Sequence, residues 1–231
     1  MLDTQRKREI RDLMKNEDVK ISACHWLLVS PPNLHITSPY SDQLKETREF
    51  FRSLIEFAAE VECQTLVFGS PNQRSIKPDW NYVEAYEQGV HFFQDMGDLA
   101  QKNGISLAFE PLGKEITNFG GDTVDAIELI ETINHPNVRL HLDSSAMSRD
   151  SSSLSRQFAL VEEKVRKRPD LVAYIHVNDP NQLGPGMGTL DFKPFFDFLT
   201  NIDYKGWISV ETFEIGRAHV CTPVTEYDLG C

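Results

Sequence analysis

Long apolar runs are missing from this chain: no window holds 18 consecutive apolar residues, which excludes a helical membrane span. Basic side chains are also scarce, with 23 Lys and Arg against 35 Asp and Glu and a formal net charge of −12. A phosphate-backbone binder needs a basic surplus, so nucleic acid is not an expected partner. Cysteine is rare: Cys24, Cys63, Cys221 and Cys231 follow no metal-type spacing and read as free thiols of a reducing compartment. The N-terminus, MLDTQRKREIRDLMKN, has no apolar signal core, so a cytoplasmic location is expected. Glycine-rich phosphate loops are lacking too. Neither GxGxxG nor GxxxxGKS/T occurs, which removes the usual mark of a doubly wound nucleotide-binding sheet.

What the 231 residues do contain is an alternation of helical and strand patterns. Apolar residues recur at helical spacing over 3–16, 41–61, 80–103, 122–133, 151–167 and 192–200. Between them lie short apolar runs with strand character at 19–29, 65–69, 105–110, 138–143, 171–177 and 207–213. Continuous rather than alternating apolar strands, each followed by a helix, indicate a parallel sheet covered on its faces. The strand ends Glu110, Asp143, His176 and Glu211 are separated by 33, 33 and 35 residues, close to one β/α unit of an eight-fold barrel. The expected fold class is α/β: an incomplete (β/α)8 TIM barrel with about six strands present, the first two β/α units and the last helix missing. One domain is expected over 1–213. Residues 214–231 continue no pattern, RAHVCTPVT resembles a translated sequencing adapter, and this segment is expected to be a non-native tail.

Each of the last four strands finishes in a residue able to bind a metal, and in a barrel these ends converge on the mouth. Three carboxylates brought to about 4 Å repel by roughly 4 kcal/mol per pair at an effective dielectric near 20. Either some stay protonated or a cation holds them. Three oxygen ligands and one imidazole suit one divalent ion, Mn²⁺, Mg²⁺, Co²⁺ or Zn²⁺. Singly, each residue also has a structural role open to it. Asp143 before Ser144 and Ser145 could cap a helix or turn. His176 could be a satisfied core histidine, Glu110 could pair with a basic neighbour, and Glu211 could face the outer helices. Together, a clamped ion would act as Lewis acid on a hydroxy-ketone, while Glu110 and Glu211 would serve as the catalytic acid/base pair.

The pieces FEPL (109–112), LHLD (140–143), HVNDPN (176–181), PGMGTLDF (185–192) and GWISVETF (206–213), with CHWLLVSPP (24–32) and VFGSP (67–71), resemble the sugar phosphate isomerase/epimerase family of xylose isomerase-like barrels. The resemblance spans 1–213. It implies Glu110, Asp143, His176 and Glu211 as metal ligands, with the two glutamates exchanging a proton through a metal-bound enediolate as in the ketose 3-epimerase branch. It implies a small sugar or sugar phosphate as partner and, as often in the family, pairing into a homo-oligomer. His25, Asn178 and Asp179 are candidate substrate contacts. The chain departs from the epimerase branch at Ala146 (a His there), Gln182 (an Arg) and Ile116 (a Glu, with Glu115 one place short). The PGMG loop is expected to close over the mouth, with Asp191 capping the helix behind it. Arg74, Lys77, Lys114 and Arg149, near strand ends, are expected to solvate loops rather than bind phosphate. The rival readings are a metal-dependent lyase, dehydratase or hydrolase on the same barrel, including the abasic-site endonuclease branch, and an inactive barrel fragment. The acidic charge and a solitary His176 argue against the endonuclease.

Overall fold

The structure, a computed structural model, describes residues 4–212. Five strands form one wholly parallel sheet in chain order: β1 (Thr65–Phe68), β2 (Ser106–Phe109), β3 (Val138–Asp143), β4 (Val172–Val177) and β5 (Ile208–Val210). The helices are α1 (Thr4–Asn16), α2 (Ser41–Glu60), α3 (Tyr82–Lys102), α4 (Thr123–Ile133), α5 (Ser144–Arg149), α6 (Leu154–Lys167) and α7 (Lys193–Asn201). Consecutive parallel strands need crossovers, and helices supply them.

Successive side chains of a strand point to opposite faces, and here the two faces have different jobs. Leu66, Phe68, Leu107, Phe109, Leu140, Leu142, Ile175 and Val177 join the main core. There Phe51 of α2 and Phe92 and Phe93 of α3 meet Phe68 and Phe109 at ring separations of 5.0 to 6.5 Å. The opposite face carries the small cluster Val67, Ala108 and Tyr174, and in the same phase His141, Asp143 and His176. Every strand-end group in the next section belongs to this second face.

Local signals fix the helix starts. Asn81 Oδ1 accepts from the Val83 N–H, Asp122 Oδ1 from Asp125 and Ser153 Oγ from Arg156, the capping arrangement that satisfies otherwise orphaned donors. α2 differs: its cap is Tyr40, without a side-chain bond, so neither Ser41 nor Asp42 caps it. The cap of α7 is Phe192 rather than Asp191, and it has no side-chain bond; Asp191, one residue earlier, accepts from Lys193 N at 3.0 Å in the turn that leads in.

The run 19–29 is not a strand. It touches the sheet through one isolated bridge, Cys24 to Leu66, and its continuation is broken at Trp26, held at φ 58°, a backbone region costly for an aromatic residue. Five strands therefore stand where six were expected. The tail 214–231 lies outside the described residues. Arg74 also departs from expectation: rather than solvating a loop, it is fully buried, its Cζ 4.5 Å above the Phe109 ring. Cys24 and Cys63 are free thiols. Among the described residues no helix is long and apolar enough to cross a membrane.

Candidate metal centre

The parallel register sets Asp143 beside His176, with Glu110 one residue past β2 and Glu211 one past β5. One ligand atom from each of these four lies within 4.8 Å of the others. Glu110, Asp143 and His176 are buried and Glu211 is half-buried. His176 Nδ1 sits 3.1 Å from Glu211 Oε2, yet makes no hydrogen bond. Gly69 lies against Glu110: a Cβ there would collide with Oε2 of the carboxylate, so the residue after β1 must be bare for Glu110 to sit as it does.

Asp143 divides its oxygens. Oδ1 accepts from the Ala146 N–H at 2.7 Å and starts α5, while Oδ2, equally buried, has no partner. The capping role and the ligand role anticipated for this residue are thus both open to it at once.

Crowding three acids in a dry cleft disturbs each. Burial, then the nearby Asp143 and Glu211 charges, pushes Glu110 well above the usual carboxylate range against the pull of Arg74. Burial raises Asp143 to about 6, although the Ala146 N–H opposes it. Burial acts the same way on Glu211, but His176 and His25 beside it prevail and hold it at about 2. Such divergence among neighbouring carboxyls marks functional sites. The orphaned Asp143 Oδ2 and His176 Nδ1, aimed at a point shared with two more carboxylates, fit a divalent cation in donor type and in number.

His176 is not solitary. His25 Nδ1 lies 3.4 Å from Glu211 Oε1, and the ring of His141 stands 4.3 Å from that of His176 at 77°. His141 is fully buried, both its nitrogens lack partners, and Glu110, His141 and His176 form a second group able to hold an ion. Sequence reasoning passed over His141. The available signal was its position two residues before Asp143, hence on the same face of β3.

Above the carboxylates opens a cavity of about 450 Å³, reached by Trp26, Leu112, Ile116, Ala146, Arg149 and Asn178 among others. Asn178 holds its wall together: its Oδ1 accepts from Ser145 N at 3.1 Å, and its N–H donates to Ser144 Oγ at 2.8 Å. Asp179 does not reach the cavity. It is fully buried, and its oxygens accept from Gly186 N at 2.8 Å and Leu190 N at 2.9 Å, which ties down the PGMG loop. Lys114 is taken up by Asp122 and Asp125 at 2.9 and 3.0 Å, and Lys77 lies over Trp80.

A family model described as xylose isomerase-like TIM barrel matches residues 1–227. The chain belongs to that family. Its five parallel strands are accordingly an incomplete (β/α)8 barrel, with the candidate centre at the strand C-termini where barrel enzymes keep their active sites. Among curated relatives, L-ribulose 3-epimerase of Methylomonas sp. (strain DH-1) is 28% identical over 124 residues, 54% of this chain and 41% of the relative. Inosose dehydratase of Glaesserella parasuis serovar 5 (strain SH0165) is 24% identical over 153 residues, 58% of this chain and 50% of the relative. A solved D-allulose 3-epimerase from Methylomonas sp., in complex with D-allulose, matches the barrel with a TM-score of 0.76 at 21% identity, covering 89% of this chain and 68% of that one. The chain spans about half the length of the curated relatives it matches.

Proposed function

We propose that this chain belongs to a divalent-metal-dependent isomerase or epimerase acting on a small sugar or sugar phosphate. The observation that carries the reading is the convergence of Glu110, Asp143, His176 and Glu211 within 4.8 Å at the strand ends. The proposed barrel unit is 1–213, with 214–231 outside it, working in the cytoplasm on small molecules rather than nucleic acid. The relatives' sugar 3-epimerase names support the substrate class.

Glu110, Asp143, His176 and Glu211 would hold the ion, which as a Lewis acid lowers the cost of charge on the substrate carbonyl oxygen. The chemistry left to the chain is proton transfer. Glu211, biased toward the carboxylate by His176 and His25, removes a proton from the carbon beside the carbonyl. Glu110, on the other side of the same point, returns one to the resulting enediolate. Two carboxyl groups facing one point are what the removal and return of a proton need. Asn178 keeps the wall rigid.

A dehydratase is the second reading. It begins with the same proton removal and is favoured by the inosose dehydratase relative together with Ile116 and Ala146 on the cavity wall, where a hydrogen-bonding side chain would otherwise grip the sugar.

The full chain with Mn²⁺ and a panel of ketoses in D₂O tests both. Deuterium entering at C2 or C3, seen by NMR, is expected, with Glu211→Gln slower by about 10²- to 10⁴-fold. A product lighter by one water selects the dehydratase. Absence of exchange, together with a purified protein that takes up no metal, discards the metal-enzyme reading altogether.

A further inference from the structure

We propose that His141 is a positioning residue for Glu110: in the working site its Nδ1–H would donate to Glu110 Oε1, a bond the structure leaves open at 3.7 Å, and would thereby fix which way the other carboxylate oxygen points. The inference rests on the reading of Glu110 as ligand and acid/base group. Nδ1 of His141 stands 3.7 Å from Glu110 Oε1, under 1 Å beyond a normal N–H to O separation. Its side chain is completely buried and neither ring nitrogen has a hydrogen-bond partner. An imidazole in any protonation state carries at least one N–H, and leaving it unbonded in a dry interior is unfavourable.

The surroundings offer that N–H few other takers. The parallel ring of Tyr174 lies 6.1 Å away, and its hydroxyl is engaged with Ser22 Oγ at 2.6 Å. The perpendicular ring of His176 lies on another side, and its Nδ1 already faces Glu211. Glu110 is the nearby carboxylate. The strand geometry makes the arrangement rigid. His141 and Asp143 project from the same face of β3, so one short segment supplies both a direct ligand and, one layer deeper, the support for the ligand contributed by β2. Carboxylates that bind a metal are commonly held by an outer hydrogen bond, and removing such a partner costs metal affinity.

Two variants of similar length separate a hydrogen bond from mere filling of space. His141→Gln keeps an N–H; His141→Met does not. In the full chain, His141→Met is expected to retain the wild-type circular dichroism while binding Mn²⁺ 10- to 100-fold more weakly by calorimetry. At saturating Mn²⁺ its kcat on the active ketose falls about tenfold, with KM within about twofold. His141→Gln recovers most of both losses. A Met variant that matches wild type in Mn²⁺ affinity and kcat overturns the proposal, and so does a Gln variant as impaired as the Met one, which would make the ring itself a ligand of the second group. Should the Met variant not fold, the Gln variant decides alone: values within about threefold of wild type support the role, and a tenfold loss overturns it. A wild-type chain that takes up no Mn²⁺ overturns both this proposal and the metal reading beneath it.

Discussion

Single residues here carry two obligations at once, and the sequence displays one more readily than the other. Asp143 is visible as a cap before Ser144 and Ser145 and as a strand-end acid, and it keeps an oxygen for each role. His35 is less legible. It is buried with Nδ1 accepting from the Thr37 N–H at 3.3 Å and its ring against Trp80, so it is built to be neutral. Burial first and Lys77 second lower its pKa to about 4, with Ser75 opposing. A depressed histidine binds its proton more readily in the unfolded chain, so the folded state loses stability as pH falls from about 6.5 toward 4 and is unaffected above that window. The loss should approach about 3 kcal/mol. Urea unfolding at pH 7.5, 5.5 and 4.5 measures it, and His35→Gln should flatten the difference between these values relative to wild type.

Elements were legible where pattern and position agreed. Strands β1 to β4 and helices α2, α3, α4, α6 and α7 follow from apolar spacing and punctuation, because each buries a face on the main core, whereas α1 only leans Ile10 and Met14 against it. The run 19–29 misleads since its apolar residues signal a strand while Trp26 turns the backbone away after a single bridge. α5 is only six residues long, too short for periodicity to reveal. His141 escapes attention because a histidine inside an apolar strand looks like packing until its neighbours are known. The same dependence on neighbours decides the fate of Gly89 in α3. Glycine in a helix interior normally invites replacement by alanine, worth about 1 kcal/mol of added stability. Here a Cβ would stand 2.6 Å from Phe119 Cε2 and 3.1 Å from Thr37 Cγ2. Gly89→Ala should therefore destabilise by about 1–3 kcal/mol through overpacking, and adding Phe119→Leu should recover part of that loss. Chemical denaturation of the single and double variants checks the sign.

At the largest scale, the sheet is well covered at its centre and, among the described residues, open along β5. β1 to β4 are almost entirely buried, whereas β5 has a single neighbour among the described residues, with Ile208 42% and Val210 61% exposed. Backbone donors and acceptors along such a rim remain available to any extended segment that meets them. The chain in solution should therefore self-associate in proportion to the square of its concentration at early times, by light scattering. Val210→Lys should slow this markedly while leaving Mn²⁺ uptake intact, since an ammonium group at the rim resists desolvation. The strand that would deliver Glu211 to an ion is also an edge of the sheet among the described residues, so chemistry and colloidal behaviour would meet in three residues, and a bound ion that steadies Glu211 should also make that edge slower to recruit a stranger.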